Sequence, residues 1–358
     1  MMKIRRFRRW TALYLTIMLL MISGFTGSLR AEAATIIQEL AYGAIAFSYI
    51  NGQLNNINDN KQSDMLAQTE KQTGVYDNDE TRSYLRAIAA RLEGNGIIKR
   101  HYAVYANPDK KLNAFCTLGR VISVNKGALD ALDEDEMAAI LAHEMGHGEE
   151  KDPVEGVKKQ LGLALVVDLY LGSNPGTASQ ILTIAGANMV SAEVFTMNQE
   201  WRADNHGFEY ATAAGYNPGG GAASMVKIHA IYGDVFSHGL VRLVNPNDHP
   251  RVSDRIKNFS EHLTSYSNGH VTVKNDKTVQ IDGKDVVSPA KAYNHMAEER
   301  AYLVAGNLAS LYHRGTVGAA YVSGDGAVYI GDQLIMNPGE NDIGSAELVD
   351  RLNAATGR

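Results

Sequence analysis

Cysteine is almost absent from this chain: Cys116 stands alone among 358 residues, so no intrachain disulfide can form and the core must carry its own stability. Gly and Pro follow no period, which excludes a collagen-like chain, and 45% hydrophobic residues exclude a disordered one. Basic charge is in deficit, with 34 Lys and Arg against 40 Asp and Glu. An acidic surface repels phosphate backbones and anionic headgroups, so nucleic acid is excluded as an electrostatic partner.

Long apolar runs are also scarce, and the main one lies at the start. Lys3, Arg5, Arg6, Arg8 and Arg9 precede an apolar stretch from about Trp10 to Phe25, and Ala31-Glu32-Ala33 follows as a small-x-small cleavage site. Those three parts predict a secretory signal peptide over 1–33, cleaved near Ala33, and an exported protein of the periplasm or exterior. Retention as an anchor is the alternative, although the stretch is short for a span needing about 20 residues. Without residues 1–33 the net charge is −11.

Two further apolar segments, 161–171 and 180–195, are separated by GSNPGTAS, and the first carries Asp168. Both are too short or too polar to span a bilayer and read as buried or interfacial helices, which leaves room for a peripheral contact with a membrane or an envelope protein. Upstream, Tyr84, Leu85, Ile88 and Leu92 form one stripe of an amphipathic helix stopped by Gly94 and Gly96. HYAVYA and AFCTLGRVISVN are strand-like. Asp133 and Glu136 then have the spacing of a capping box at the head of a long helix.

That helix carries ILAHEMGHGEE. His143 and His147, four apart, project from one helix face and can share one zinc ion, while Glu144 is placed to hold a water as general base. The surrounding Ala138, Ala139, Ile140, Leu141 and Met145 are apolar, which argues against two solvated surface histidines. Gly146 removes a side chain where metal or substrate would approach. A hydrolytic zinc site needs a third ligand, and Glu200 in NQEWRADNHG is the candidate; Asp204, one turn later, can accept a hydrogen bond from a ligating imidazole.

HEMGH at 143–147 followed by EWRAD at 200–204 resembles the gluzincin metallopeptidases of the CAAX prenyl protease and HtpX family. Asn113-Ala114-Phe115, the lead-in to the zinc helix, YATAAGYNPGG at 210–220, and His249-Pro250 before Arg255-Ile256 resemble the same family, over about residues 70–260. The resemblance implies an α+β fold: a mainly helical zincin-like domain over 34–262 with a small edge-exposed β-sheet. It implies one Zn²⁺ per chain and a polypeptide substrate laid along Asn113, Ala114 and Phe115. His249 and Arg255 would stabilise the oxyanion, or His249 would cap the zinc and hold the enzyme latent. Cys116 departs from the aliphatic residue expected there and is given no role. The lack of several long spans places the chain with a soluble, exported branch and points to misfolded or envelope proteins as substrates.

After residue 265 short alternating strands take over. Val273, Asp276, Val279, Ile281 and Pro289 recur 49 positions later as Val322, Asp325, Val328, Ile330 and Pro338. The segment 269–358 is therefore expected to be a small C-terminal α/β module of two strand-rich units, each followed by a helix, that binds protein. Such a surface motivates the rival expectation of an envelope chaperone or scaffold in which zinc is latent or structural.

Overall fold

A computed structural model describes residues 44–45, 47–76, 79–159, 195–234 and 250–358. The expected signal peptide, most of the two apolar segments between 161 and 195, and His249 lie outside the described residues. The chain divides into two units, and the site lies within the one comprising Leu54–Gln160 and Ser179–Arg358. No helix among the described residues is long and apolar enough to cross a membrane.

The polar stretch after residue 50 is helical. Helix α1 (Gln62–Thr73) buries only Met65 and Thr69, which is why its sequence reads as polar. Helix α2 (Asp79–Glu93) buries Leu85, Ile88, Ala89 and Leu92 on the predicted stripe and gives way at Gly94.

Strands β1 (Ala103–Asn107), β2 (Ala114–Thr117) and β3 (Val121–Asn125) form a sheet of order β1-β3-β2, parallel between β1 and β3 and antiparallel between β2 and β3. The strand-like segment 114–125 is thus a hairpin. Gly119 and Arg120 both take positive φ, 77° and 59°, and turn the chain back on itself. The consequence is that β2, which carries Ala114 and Phe115, is an edge strand.

After a short helix α3 (Lys126–Ala131), helix α4 (Glu134–Glu149) opens on the expected capping box. The Glu136 amide donates to Asp133 Oδ1 at 2.8 Å and the Asp133 amide to Glu136 Oε2 at 2.9 Å. Helix α5 (Met197–Ala213) begins with a second box, Thr196 with Gln199. The two helices cross where neither has a side chain. A Cβ on Gly146 would stand 3.2 Å from Ala203 Cα, and one on Gly207 would stand 3.0 Å from the backbone of His143. Gly146 therefore makes room for α5, not for metal or substrate. Helices α6 (Gly220–Tyr232) and α7 (Val252–Tyr266) complete the first core, built around Met137, Leu141, Met145, Ile122, Met225 and Phe259.

Beyond α7, β4 (Val271–Lys274), β5 (Thr278–Ile281) and β6 (Lys284–Val287) form an antiparallel meander, as do β7 (Ala320–Val322), β8 (Val328–Ile330) and β9 (Gln333–Met336). Each meander breaks register at the same place, after Val279 and after Val328. Helices α8 (Ala297–Arg314) and α9 (Ser345–Thr356) follow them. These elements share a second core that includes Val279, Leu308, Val328 and Leu348.

The two cores are not separate bodies. Helix α7 gives Ile256 and Phe259 to the first and Leu263 to the second, and α8 sends Tyr302 into the first. Close approach at this junction depends on glycine: a Cβ on Gly219 would collide with the Tyr302 carbonyl, and one on Gly306 with Asn217 Oδ1. Asn217 in turn bonds the Leu303 carbonyl and Asn307 Oδ1, both at 3.0 Å. Gly306→Ala should therefore destabilise the protein by about 1–3 kcal/mol in urea unfolding, despite the better helix propensity of Ala, because overpacking outweighs it.

Candidate active site

Helices α4 and α5 bring His143, His147 and Glu200 together. One donor atom from each lies within 4.8 Å of the other two, and all three residues are buried. His143 Nε2 and His147 Nε2 each stand 3.7 Å from a different oxygen of Glu200. The two rings meet edge to face with centroids 4.8 Å apart. Both Nε2 atoms thus face one point that the carboxylate also faces, the arrangement of a three-ligand metal site.

Each imidazole is backed by a carboxylate. Asp204 Oδ1 lies 2.9 Å from His143 Nδ1, and Asp152 Oδ2 lies 2.9 Å from His147 Nδ1. A carboxylate at Nδ1 fixes the proton there and leaves the Nε2 lone pair for a metal. Asp152 is itself held by Gln199 Nε2 at 2.7 Å and by an Arg202 guanidinium nitrogen at 3.1 Å. Phe195 stacks on the outer face of His147, centroids 4.1 Å apart. Burial works against a charged His147, but Asp152 and Glu200 outweigh it and raise the imidazole above its usual range.

Arg255 of α7 donates to Asp204 through Nε at 2.8 Å and through a terminal nitrogen at 2.5 Å. Another terminal nitrogen lies 3.8 Å from Glu200. Although burial of Asp204 opposes its ionisation, the Arg255 charge and the His143 hydrogen bond hold the carboxyl well below the usual range. Arg255 is 3% exposed, so its guanidinium is committed to the back of His143.

Glu144 is buried where α4 faces β2. Its Oε2 accepts the Cys116 amide of β2 at 2.8 Å, which ties the carboxylate to the edge strand. Burial pushes its pKa up, against the lowering effect of the neighbouring histidines. Asn113, Ala114, Ile140, Glu144 and Ile228 also border a small pocket, and Asn113 Oδ1 is buried with no hydrogen-bond partner. The Cys116 thiol is buried and its pKa rises well above the usual range through desolvation, which makes it an inert side chain; its backbone is what the site uses.

Sequence reasoning did not find Asp152, Gln199 or Phe195. Asp152 follows His147 by five residues, past the end of α4, where helical spacing no longer predicts which side chains meet.

The sequence signature of Peptidase family M48 matches residues 78–263. The chain belongs to that family. It is similar to metalloprotease LoiP of Escherichia coli strain K12, at 26% identity over 245 residues covering 67% of this chain and 92% of that protein. A protease HtpX homolog of Salinibacter ruber is 32% identical over 183 residues, 43% of this chain and 65% of that one. A putative beta-barrel assembly-enhancing protease of Vibrio cholerae is 23% identical over 252 residues, 67% of this chain and 47% of its own length. The matched span in this M48 peptidase contains both helices of the site, the edge strand and Arg255. The protein is a metalloprotease.

Replacing Asp204 by Asn keeps the shape but removes the charge that faces His143 and Arg255. Metal affinity should fall about 10–100-fold, read by competition with a chromogenic chelator.

Proposed function

We propose that the metal is zinc, held by His143, His147 and Glu200, and that the protein is an exported endopeptidase of unfolded or envelope polypeptides. The convergence of two carboxylate-backed imidazoles and a carboxylate carries this reading, since that donor set suits zinc and leaves a position for solvent. Zinc bound there would supply a water of lowered pKa.

The chain's own residues then have defined parts. Glu144, anchored through Oε2, uses Oε1 to take the proton from that water and pass it to the leaving amine. Asp204 and Asp152 hold the ligating imidazoles in one tautomer, and Arg255 keeps Asp204 ionised and in place. Arg255 is therefore read as a positioning residue, and oxyanion stabilisation falls to His249, whose own placement is outside the described residues. The outer edge of β2 offers backbone groups to an extended substrate, beside Asn113, Ala114 and Phe115.

An exported destination rests on the N-terminal charge and hydropathy pattern. The envelope as working place gains support from the name of the Vibrio cholerae relative, which refers to β-barrel assembly. A role for the strand-rich units in binding protein is kept as part of the reading. The chaperone alternative has less support, because the chain belongs to a peptidase family and its His143, His147 and Glu200 converge.

Glu144→Gln should retain one equivalent of zinc at this site and lose about 10²–10⁴-fold in hydrolysis of casein, measured as release of fluorescent peptide. Unchanged turnover would remove Glu144 from the chemistry. Chelation should abolish hydrolysis by the wild-type protein, and added Zn²⁺ should restore it.

A further inference from the structure

A second set of metal-type donors lies at the opposite end of the zinc helix. Asp133, Glu136 and His295 each present a donor atom within 4.8 Å of the others. Asp133 is the N-cap of α4, Glu136 lies in its first turn, and His295 precedes α8. The site therefore spans the junction between the two cores.

Three observations set this cluster apart from an ordinary group of surface acids. First, Glu136 is wholly buried, yet its Oε1 has no hydrogen-bond partner; its Oε2 is taken by the Asp133 amide and by Lys227 Nζ at 2.9 Å. An orphaned buried carboxylate oxygen is costly unless something fills the space before it. Second, the His295 ring lies between two carboxylates. Its Nδ1 stands 3.3 Å from Glu299 Oε2, a buried carboxylate, and its Nε2 faces Asp133 Oδ2 at 3.8 Å. Nδ1 itself makes no hydrogen bond; a proton placed there, facing Glu299, would leave the Nε2 lone pair towards Asp133.

Third, the charges do not balance. Among the described residues, Asp133, Glu136 and Glu299 are opposed by one ammonium, Lys227, which also lies 3.5 Å from Glu299 Oε1 and donates to the Ala131 carbonyl at 2.6 Å. With all three carboxylates ionised and His295 neutral, two negative charges would remain, and one divalent ion would cancel them. Lys227 occupies the other oxygen of Glu136 and leaves Oε1 for such an ion.

We propose that Asp133, Glu136 and His295 bind a second divalent cation of the zinc class, which staples the segment before α8 to the N-terminus of the helix that carries His143, Glu144 and His147. Two carboxylates and one imidazole suit a borderline ion better than calcium or magnesium. The ion is structural: about seven residues, two helical turns, separate Glu136 from His143.

The test uses the full chain, stripped with chelator, reloaded with Zn²⁺ and desalted before metal analysis. The wild type should hold two zinc ions per chain, the double variant His143→Ala/His147→Ala one, and the triple variant that adds His295→Asn none. Zinc should still raise the melting temperature of the double variant and should no longer do so in the triple variant. Asp133→Asn, in place of His295→Asn, should give the same loss while keeping an N-cap acceptor. Equal melting temperatures of the metal-free double and triple variants would show that His295→Asn folds normally. One zinc ion in the wild type and none in the double variant would overturn the proposal, as would a cluster neutralised by protons alone, seen as zinc-independent stability that falls from pH 6 to pH 8.

Discussion

Two imidazoles are held side by side, buried, with their Nε2 atoms facing one point, and the packing of α4, α5 and α7 is organised around that arrangement. An imidazole in a dry site can rotate or change tautomer unless its other nitrogen is engaged. Here Asp204 and Asp152 engage them, and each aspartate needs its own partner in turn: Arg255 for the first, Gln199 and Arg202 for the second. A buried aspartate without such support would protonate or destabilise the fold. The site is thus a chain of compensated charges reaching from α7 through α5 to α4.

Helix geometry supplies the rest. Glu200 meets both histidines because α4 and α5 approach backbone to backbone at Gly146 and Gly207. Farther along α4, Gly148 makes room for the Tyr102 ring, whose hydroxyl donates to the Met145 carbonyl at 3.0 Å. The face of α4 that carries His143 and His147 is consequently fixed by packing against α5 and Tyr102.

Much of this was legible in the sequence where chemistry and period coincide. His143, Glu144 and His147 lie on one helix, and Glu200 with Asp204 on another, so a single face could be read from spacing alone. The capping box at Asp133 and the 49-residue recurrence in the strand-rich region were legible for the same reason, since both are local patterns. What spacing could not show is contact across elements. Asp152 meets His147 only because the chain turns after α4, the hairpin at Gly119 depends on two positive φ values inside an apparently continuous strand, and the commitment of Arg255 to Asp204 follows from the packing of α7 against α5. The small pocket and the Cys116 amide became visible only once β2 was an edge.

Helix α7 has a mechanical consequence of its own. Its first turn anchors Arg255 behind His143, while its last turns are gripped by the strand-rich region through Leu263. A rigid rod of this length transmits a tilt at one end to the other. Whatever clasps or loosens the C-terminal strands from outside therefore acts on the rod that holds Arg255 behind His143.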